Sequence, residues 1–206
     1  MIKLVLATHN EKKRKEMEAL LAHLPFEVES LAAYPAVGEI VEDGETFQEN
    51  AAIKAQTVAR LTGQLALADD SGLVVEALDG APGIYSARYA GVAHDDAANN
   101  KKLLADLADT PNDKRQAHFV CTLALALPDQ EPIFVEGRLD GVILRSPVGA
   151  NGFGYDPLFL VPEAMKSLAE MEAEEKNAIS HRAQACAKAV PILQTFAKTG
   201  HLAQKG

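Results

Sequence analysis

The stretch Ala66-Leu67-Ala68-Asp69-Asp70-Ser71-Gly72-Leu73-Val74-Val75 joins two apolar segments of strand type through a pair of carboxylates. The residues ahead of Asp69 and those from Leu73 to Val75 read as buried strand, and Asp-Ser-Gly between them reads as a tight turn. Two carboxylates at the end of a buried strand are costly unless a partner, usually a metal ion or a proton, compensates them, because like charges in a low dielectric do not both stay ionised alone. An Asp-rich turn is the plain structural reading. The number of other polar segments that fall where strands end argues for a site.

Working outward, strand and helix signals alternate along the chain. Ile2–Ala7 is a strand by its aliphatic content, and Asn10 to His23 is a helix with Met17, Leu20, Leu21 and Leu24 as its apolar stripe, stopped by Pro25. Lys12, Lys13, Arg14 and Lys15 crowd the first turns of that helix, where cations oppose the macrodipole. Either they are solvated, or an anion sits at the helix start, held by backbone N–H groups and a lysine. The P-loop pattern GxxxxGK[ST] is absent. Phe26–Leu31 reads as a second strand, and the segment from Ala32 to Gly44 as an acidic loop. Thr46-x-x-Glu49 is a capping box, so a helix begins at Phe47, buries Phe47, Ala51, Ala55, Val58 and Ala59, and ends at Gly63. Glu49 is accounted for as a cap, while Asn50 and Lys54, one turn apart, can face one ligand.

Downstream, Gly80-Ala81-Pro82-Gly83 reads as a rigid turn and Ser86–Tyr89 as a strand edge or an interface. His94–Leu107 reads as a helix. Ala117–Leu127 is apolar throughout and so a central strand, with Pro132–Leu144 a second long one. In the Gly/Pro-rich segment from Ser146 to Pro162, Gly149, Gly152 and Gly154 let backbone approach a ligand, and Phe153 and Tyr155 offer flat faces suited to a nucleobase. Met165–Lys198 reads as largely helical. There Ser180 is the N-cap of the last helix, His181 and Arg182 lie in its first turn, and Pro191 kinks or divides it.

Composition narrows the function. The 206 residues suit one domain or two closely joined lobes, and 48% hydrophobic content is enough for an ordinary core. Twenty basic against 29 acidic residues give a net charge of −9, which excludes a bulk nucleic-acid binder but not a small anionic ligand held by a few local cations. No segment reaches the ~18 consecutive apolar residues of a membrane span, and the N-terminus lacks a signal-peptide pattern. Cys121 and Cys186 have no CxxC spacing and read as buried free thiols of a cytoplasmic protein.

Six segments occur in a recognisable order: Thr8-x-Asn10-x-x-Lys13; Thr46-Phe47-x-Glu49-Asn50-Ala51-x-x-Lys54-Ala55; Ala68-Asp69-Asp70-Ser71-Gly72; Gly80-Ala81-Pro82-Gly83-x-Tyr85-Ser86-Ala87-Arg88; Phe153-Gly154-Tyr155-Asp156-Pro157; and Glu175-Lys176-Asn177-x-x-Ser180-His181-Arg182. In this the chain resembles the XTP/dITP diphosphatases, the non-canonical purine nucleoside triphosphate pyrophosphatases. The resemblance implies an α/β fold with a long mixed β-sheet flanked by helices, two lobes around a central substrate cleft, a homodimer, and Mg²⁺-dependent hydrolysis of ITP, dITP and XTP to the monophosphate and pyrophosphate. It assigns Asp70 as general base, and Asp70 with Glu42 as metal ligands, Glu39 and Asp43 being near alternatives to Glu42. The phosphates fall to Thr8, His9, Asn10, Glu11, Lys12 and Lys13. Lys54, Ser71, Phe153, Gly154, Tyr155, Asp156, Lys176, His181 and Arg182 also bind substrate, Lys54 and Lys176 joining Lys13 in neutralising the triphosphate and His181 and Arg182 donating to a 6-oxo purine. His9 stands where the family commonly has glycine. The rival readings are a pyrophosphohydrolase for other modified nucleotides and a non-catalytic nucleotide-binding module.

Overall fold

The computed structural model describes residues 2–203. Its strands are β1 (Ile2–Leu6), β2 (Phe26–Ser30), β3 (Leu65–Val75), β4 (Gln116–Ala126), β5 (Ile133–Ile143), β6 (Phe159–Val161) and β7 (Lys166–Ser167). They form one open sheet in the order β2-β1-β3-β4-β5-β6-β7. The helices are α1 (Glu11–Leu21), α2 (Phe47–Thr62), α3 (Asp96–Asp106), α4 (Ala173–Ile179) and α5 (His181–Thr199). β1 runs parallel to β2 and to β3, which requires the crossovers that α1 and α2 supply, whereas β5–β6 and β6–β7 are antiparallel. The sheet is therefore mixed, as the resemblance implies.

By spatial contact the chain divides into two compact units, the first made of Met1–Asp70, Cys121–Gly137 and Arg182–Gly206, the second of Ser71–Val120 and Arg138–His181. In the first unit the period-two alternation of the strands sorts side chains into two cores. Leu4 and Leu6 of β1, Leu65 and Leu67 of β3, and Cys121, Leu123 and Leu125 of β4 pack with Met17 and Leu21 of α1 and Ala185, Ala189 and Leu193 of α5. The intervening residues, Val5 and Ala7, Ala66 and Ala68, Ala124 and Ala126, pack with Ala51, Ala55, Val58 and Ala59 of α2. Leucines fill one face and alanines the other, so α2 is seated through small side chains. Each fully buried leucine contributes about 2 kcal/mol of burial. The second unit has its own core, in which Leu73 and Val75 meet Leu103, Leu107, Phe119, Leu158 and Phe159. The buried Arg115 guanidinium serves carbonyl groups there, donating to Leu107 (2.7 Å), Ile143 (2.8 Å) and Leu144 (3.0 Å).

Several expectations change. Ser71-Gly72 makes no turn: β3 runs without interruption from Leu65 to Val75. Residues 83–88 form 3₁₀ turns instead of a strand edge. The region after 158 is less helical than its composition suggests, because β6, β7 and a 3₁₀ turn at Leu168–Glu170 precede α4. Pro191 is exposed and does not divide α5, which runs on to Thr199. The N-cap of α2 is Thr46, as expected, but the Glu49 carboxylate accepts from Glu45 N–H (2.7 Å) where a capping box would close on Thr46, and Phe47 is only half-buried. Cys121 and Cys186 are buried free thiols, and among the described residues no helix is long and apolar enough to cross a membrane.

Candidate active site

The alternation that sorts the first unit's cores also separates its two central carboxylates. Continuing the series Leu65, Leu67, the Asp69 side chain emerges on the α1 and α5 face, and continuing Ala66, Ala68, the Asp70 side chain emerges on the α2 face. The pair is adjacent in sequence but served by different partners.

Asp69 is fully buried, and three elements converge on it. Lys13 Nζ of α1 lies 2.5 Å from Oδ1, Arg182 Nε of α5 lies 3.2 Å from Oδ2, and the Cys121 thiol of β4 donates to Oδ2 at 3.0 Å. Arg182 also pairs through Nη1 with Glu16, which sits one turn beyond Lys13 on α1. Two cations thus face two carboxylates, and the cluster is neutral. Burial works to raise the Asp69 pKa, but Arg182, Lys13 and Lys54 overcome it and hold the carboxyl well below its ordinary value. Burial and the Asp69 charge push the Cys121 thiol well up, which keeps it a proton donor. Asp69 is thereby held as a carboxylate.

Asp70 is arranged differently. Its Oδ1 accepts from Lys54 Nζ at 3.1 Å, and the same ammonium lies 2.7 Å from Glu42 Oε2. Its Oδ2 is buried and has no hydrogen-bond partner among the described residues. Burial, with help from Asp69 and Glu42 and against Lys54 and Lys13, raises its pKa to about 6. Burial opposes the charge on Lys54, but Asp70 and Glu42 outweigh it and raise its pKa. One cation facing two carboxylates leaves one negative charge over. Hard carboxylate oxygens, one of them unpartnered, suit Mg²⁺, which is commonly held by one or two carboxylates plus substrate phosphates. Among the described residues no group of three or more His, Cys, Asp or Glu side chains forms a complete metal cage.

Asn50, paired with Lys54 in the sequence reading, does not share its target. Buried, it accepts Gly44 N–H at 2.9 Å and so shapes the loop that carries Glu42. A Cβ on Gly44 would come within 2.7 Å of Glu49 Cβ and 2.8 Å of Asn50 Oδ1, so that loop closes on α2 only because residue 44 lacks a side chain. The helix start also differs from expectation. Asn10 caps α1, its Oδ1 accepting from Lys12 N–H (3.0 Å) and Lys13 N–H (3.2 Å), so two N–H groups offered to a phosphate are already taken. Thr8 Oγ1 accepts Asn10 N–H at 3.1 Å, and Glu11 pairs with Arg14. Exposed His9 turns toward the Gly38 carbonyl, with Nε2 at 3.0 Å.

The second unit gathers the aromatic segment. Gly152 and Gly154 have φ of +71° and +62°, and a Cβ on Gly152 would run into the Asp156 carboxylate. Asp156 Oδ2 accepts from Phe153 N–H (3.0 Å) and from Lys176 Nζ (2.7 Å), and that ammonium lies 4.7 Å from the Phe153 ring centroid. Phe153 is half-buried. Tyr155 is not a second flat face, because it belongs to the core and its hydroxyl donates to the Ser86 carbonyl at 2.7 Å. His181 is buried and stacks on Phe119, with ring centroids 4.7 Å apart. Ser71 is half-buried on β3. Arg182 reaches Asp69 through Nε and Glu16 through Nη1.

Sequence reasoning passed over Glu16, Cys121, Asp96 and Asn100. Glu16 falls three residues after Lys13, the spacing of one helix face, and Asp96 and Asn100 stand four apart on α3, so period alone could have raised them. Cys121 carried no such signal.

A mixed, open sheet flanked by helices defines an α/β protein, and this one presents a compensated and an under-compensated carboxylate from adjacent strand positions, with a lysine at each. The chain belongs to the Ham1 family, whose sequence profile matches residues 4–192. It is 57% identical over 185 residues to a protein of Listeria monocytogenes named dITP/XTP pyrophosphatase, covering 90% of this chain and 91% of that one. A protein of the same name from Geobacter sulfurreducens is 53% identical over 187 residues, covering 91% and 94%. Among solved structures, a HAM1 protein from Coxiella burnetii superposes with a TM-score of 0.87 at 44% identity, covering 95% of this chain and all (100%) of that one.

Proposed function

We propose that the protein hydrolyses the non-canonical purine nucleoside triphosphates ITP, dITP and XTP to the monophosphate and pyrophosphate, keeping deaminated purines out of DNA and RNA. The substrate class follows the names carried by its relatives. The observation that supports Asp70 as the base is its state: one oxygen on Lys54, the other buried and unpartnered, and a pKa near 6.

Asp70 accepts a proton from water attacking the α-phosphorus, while Asp69, locked in its ion cluster, stays a carboxylate and holds Lys13. Asp70 and Glu42 are the residues that would hold Mg²⁺, which when bound polarises the phosphoryl group and eases the departure of pyrophosphate. Lys12, Lys13 and Lys54 offset phosphate charge at the site of a chain whose net charge is −9. Phe153 offers its ring to the purine. Cytoplasmic residence and a homodimer complete the reading.

Hydrolysis of ITP in ¹⁸O-labelled water tests it. Attack at the α-phosphorus puts the label in IMP and leaves pyrophosphate unlabelled. Label in pyrophosphate, or passage through IDP with labelled orthophosphate, would overturn the mechanism. A panel of purine and modified pyrimidine triphosphates, with and without Mg²⁺, tests the substrate class and the metal.

A further inference from the structure

Three side chains grip the backbone at Phe153 and Gly154, and two of them lie on α3, outside every motif that suggested the function. The Asp96 carboxylate accepts Gly154 N–H through Oδ2 at 2.9 Å, and Asn100 Nδ2 donates to the Gly154 carbonyl at 2.8 Å. Asp96 and Asn100 are four residues apart, so one face of one helix holds both polar ends of residue 154. The third grip is Asp156 Oδ2 on Phe153 N–H. Gly154 has φ +62°, a conformation costly for other residues, and Gly152 on the other side of Phe153 has φ +71°. A segment with two such glycines is intrinsically loose, and an unheld Phe153 ring would sample many directions. Charge-assisted and amide hydrogen bonds at both ends of the Gly154 unit remove that freedom.

We propose that Asp96 and Asn100 are positioning residues for purine selection: by clamping the Gly154 backbone they fix the plane of the Phe153 ring against which the base stacks. The proposal rests on the reading of Phe153 as the purine platform. It assigns α3 a part in KM and base preference and none in the chemistry of Asp70.

The side chains permit a discriminating test. Asp96→Ala removes the acceptor, whereas Asp96→Asn keeps an acceptor oxygen and loses only the charge. Asn100→Asp keeps the size and removes the donor. The expected result is a roughly tenfold rise in KM for ITP in Asp96→Ala and Asn100→Asp, with kcat within about threefold and the ITP-to-ATP preference reduced, and restoration in Asp96→Asn. The chain contains no tryptophan, so Phe153→Trp supplies a single indole reporter. Its fluorescence is titrated with IMP, with and without the α3 substitutions. A response weakened roughly tenfold in apparent affinity by Asp96→Ala, in protein that keeps its thermal transition, supports the clamp. An unchanged affinity in both Asp96→Ala and Asn100→Asp overturns it, as does a loss confined to kcat. A reporter that does not respond to IMP at all overturns instead the prior reading of Phe153. Should Asp96→Ala fail to fold, the isosteric Asn100→Asp decides alone.

Discussion

At neutral pH the Asp70 carboxylate is ionised against the preference of its surroundings, since burial first, and then Asp69 and Glu42, raise its pKa from 3.8 to about 6. That difference corresponds to roughly 3 kcal/mol against the charged form. A raised carboxyl contributes stability that is fully present below 3.8 and is lost as pH climbs through about 6. Asp70→Asn, which mimics the protonated group, is therefore expected to be more stable than the wild type at pH 7, by on the order of 1–3 kcal/mol. Thermal unfolding across pH should show that gap closing on the acid side, and a gap independent of pH would refute it. The same variant should lose roughly 10²–10⁴ in kcat if Asp70 is the base, with wild-type turnover the contrary result. Asp69 has the opposite sign. Its pKa is held down, so its contribution is present above 3.8 and lost as pH falls through the lowered value. Asp69→Asn strands Arg182 and Lys13 in the interior, and a loss of about 3–5 kcal/mol is expected in denaturant unfolding. Two neighbouring aspartates whose amide variants shift stability in opposite directions would be hard to explain by a common turn.

Among the elements, α5 carries an untidy feature that can be measured. Pro191 sits inside the helix, exposed, and cannot give the N–H that the carbonyl one turn earlier would accept. Pro191→Ala should raise stability by roughly 1–3 kcal/mol without touching kcat, and a destabilised variant would mean that the proline fits a bend the helix needs. Legibility also divides by element. α1, α2, α3 and strands β1, β2, β4 and β5 were readable because their periods run for five residues or more, and the helix ends carry caps, Asn10, Thr46, Asp95 and Gly63. β6 and β7 were not, since three and two residues hold no period. The continuity of β3 was hidden for another reason. Asp-Ser-Gly is turn chemistry locally, and only the distant Lys13, Arg182 and Lys54, absent from any local window, make a charged strand interior affordable. The partners of Arg182 were hidden on the same ground: sequence placed a cation at a helix start, but not the two carboxylates, Asp69 and Glu16, that it meets there.

For the whole molecule, composition and local geometry pull a nucleotide in opposite directions. The chain carries 20 basic and 29 acidic residues, for a net charge of −9, while Lys13 lies beside Asp69 and Lys54 beside Asp70 within the first unit. At a distance, a nucleoside triphosphate with about four negative charges meets repulsion, and the lysines act only at close range, where salt screens least. Enzymes that steer their substrates by an opposite far field lose association rate steeply as salt is added, by tenfold or more. Here the far field has the wrong sign for steering. Raising ionic strength from about 20 mM to about 150 mM shortens the screening length to about 8 Å, which removes the repulsion and leaves the short contacts in place. With Mg²⁺ held saturating, kcat/KM for ITP is accordingly expected to stay level or to rise by up to about threefold over that range. Steady-state rates at several salt concentrations measure it, with a neutral osmolyte as control. A steep monotonic fall would mean that the lysines already dominate the field well outside the site, and that the −9 is distributed where an approaching nucleotide does not feel it.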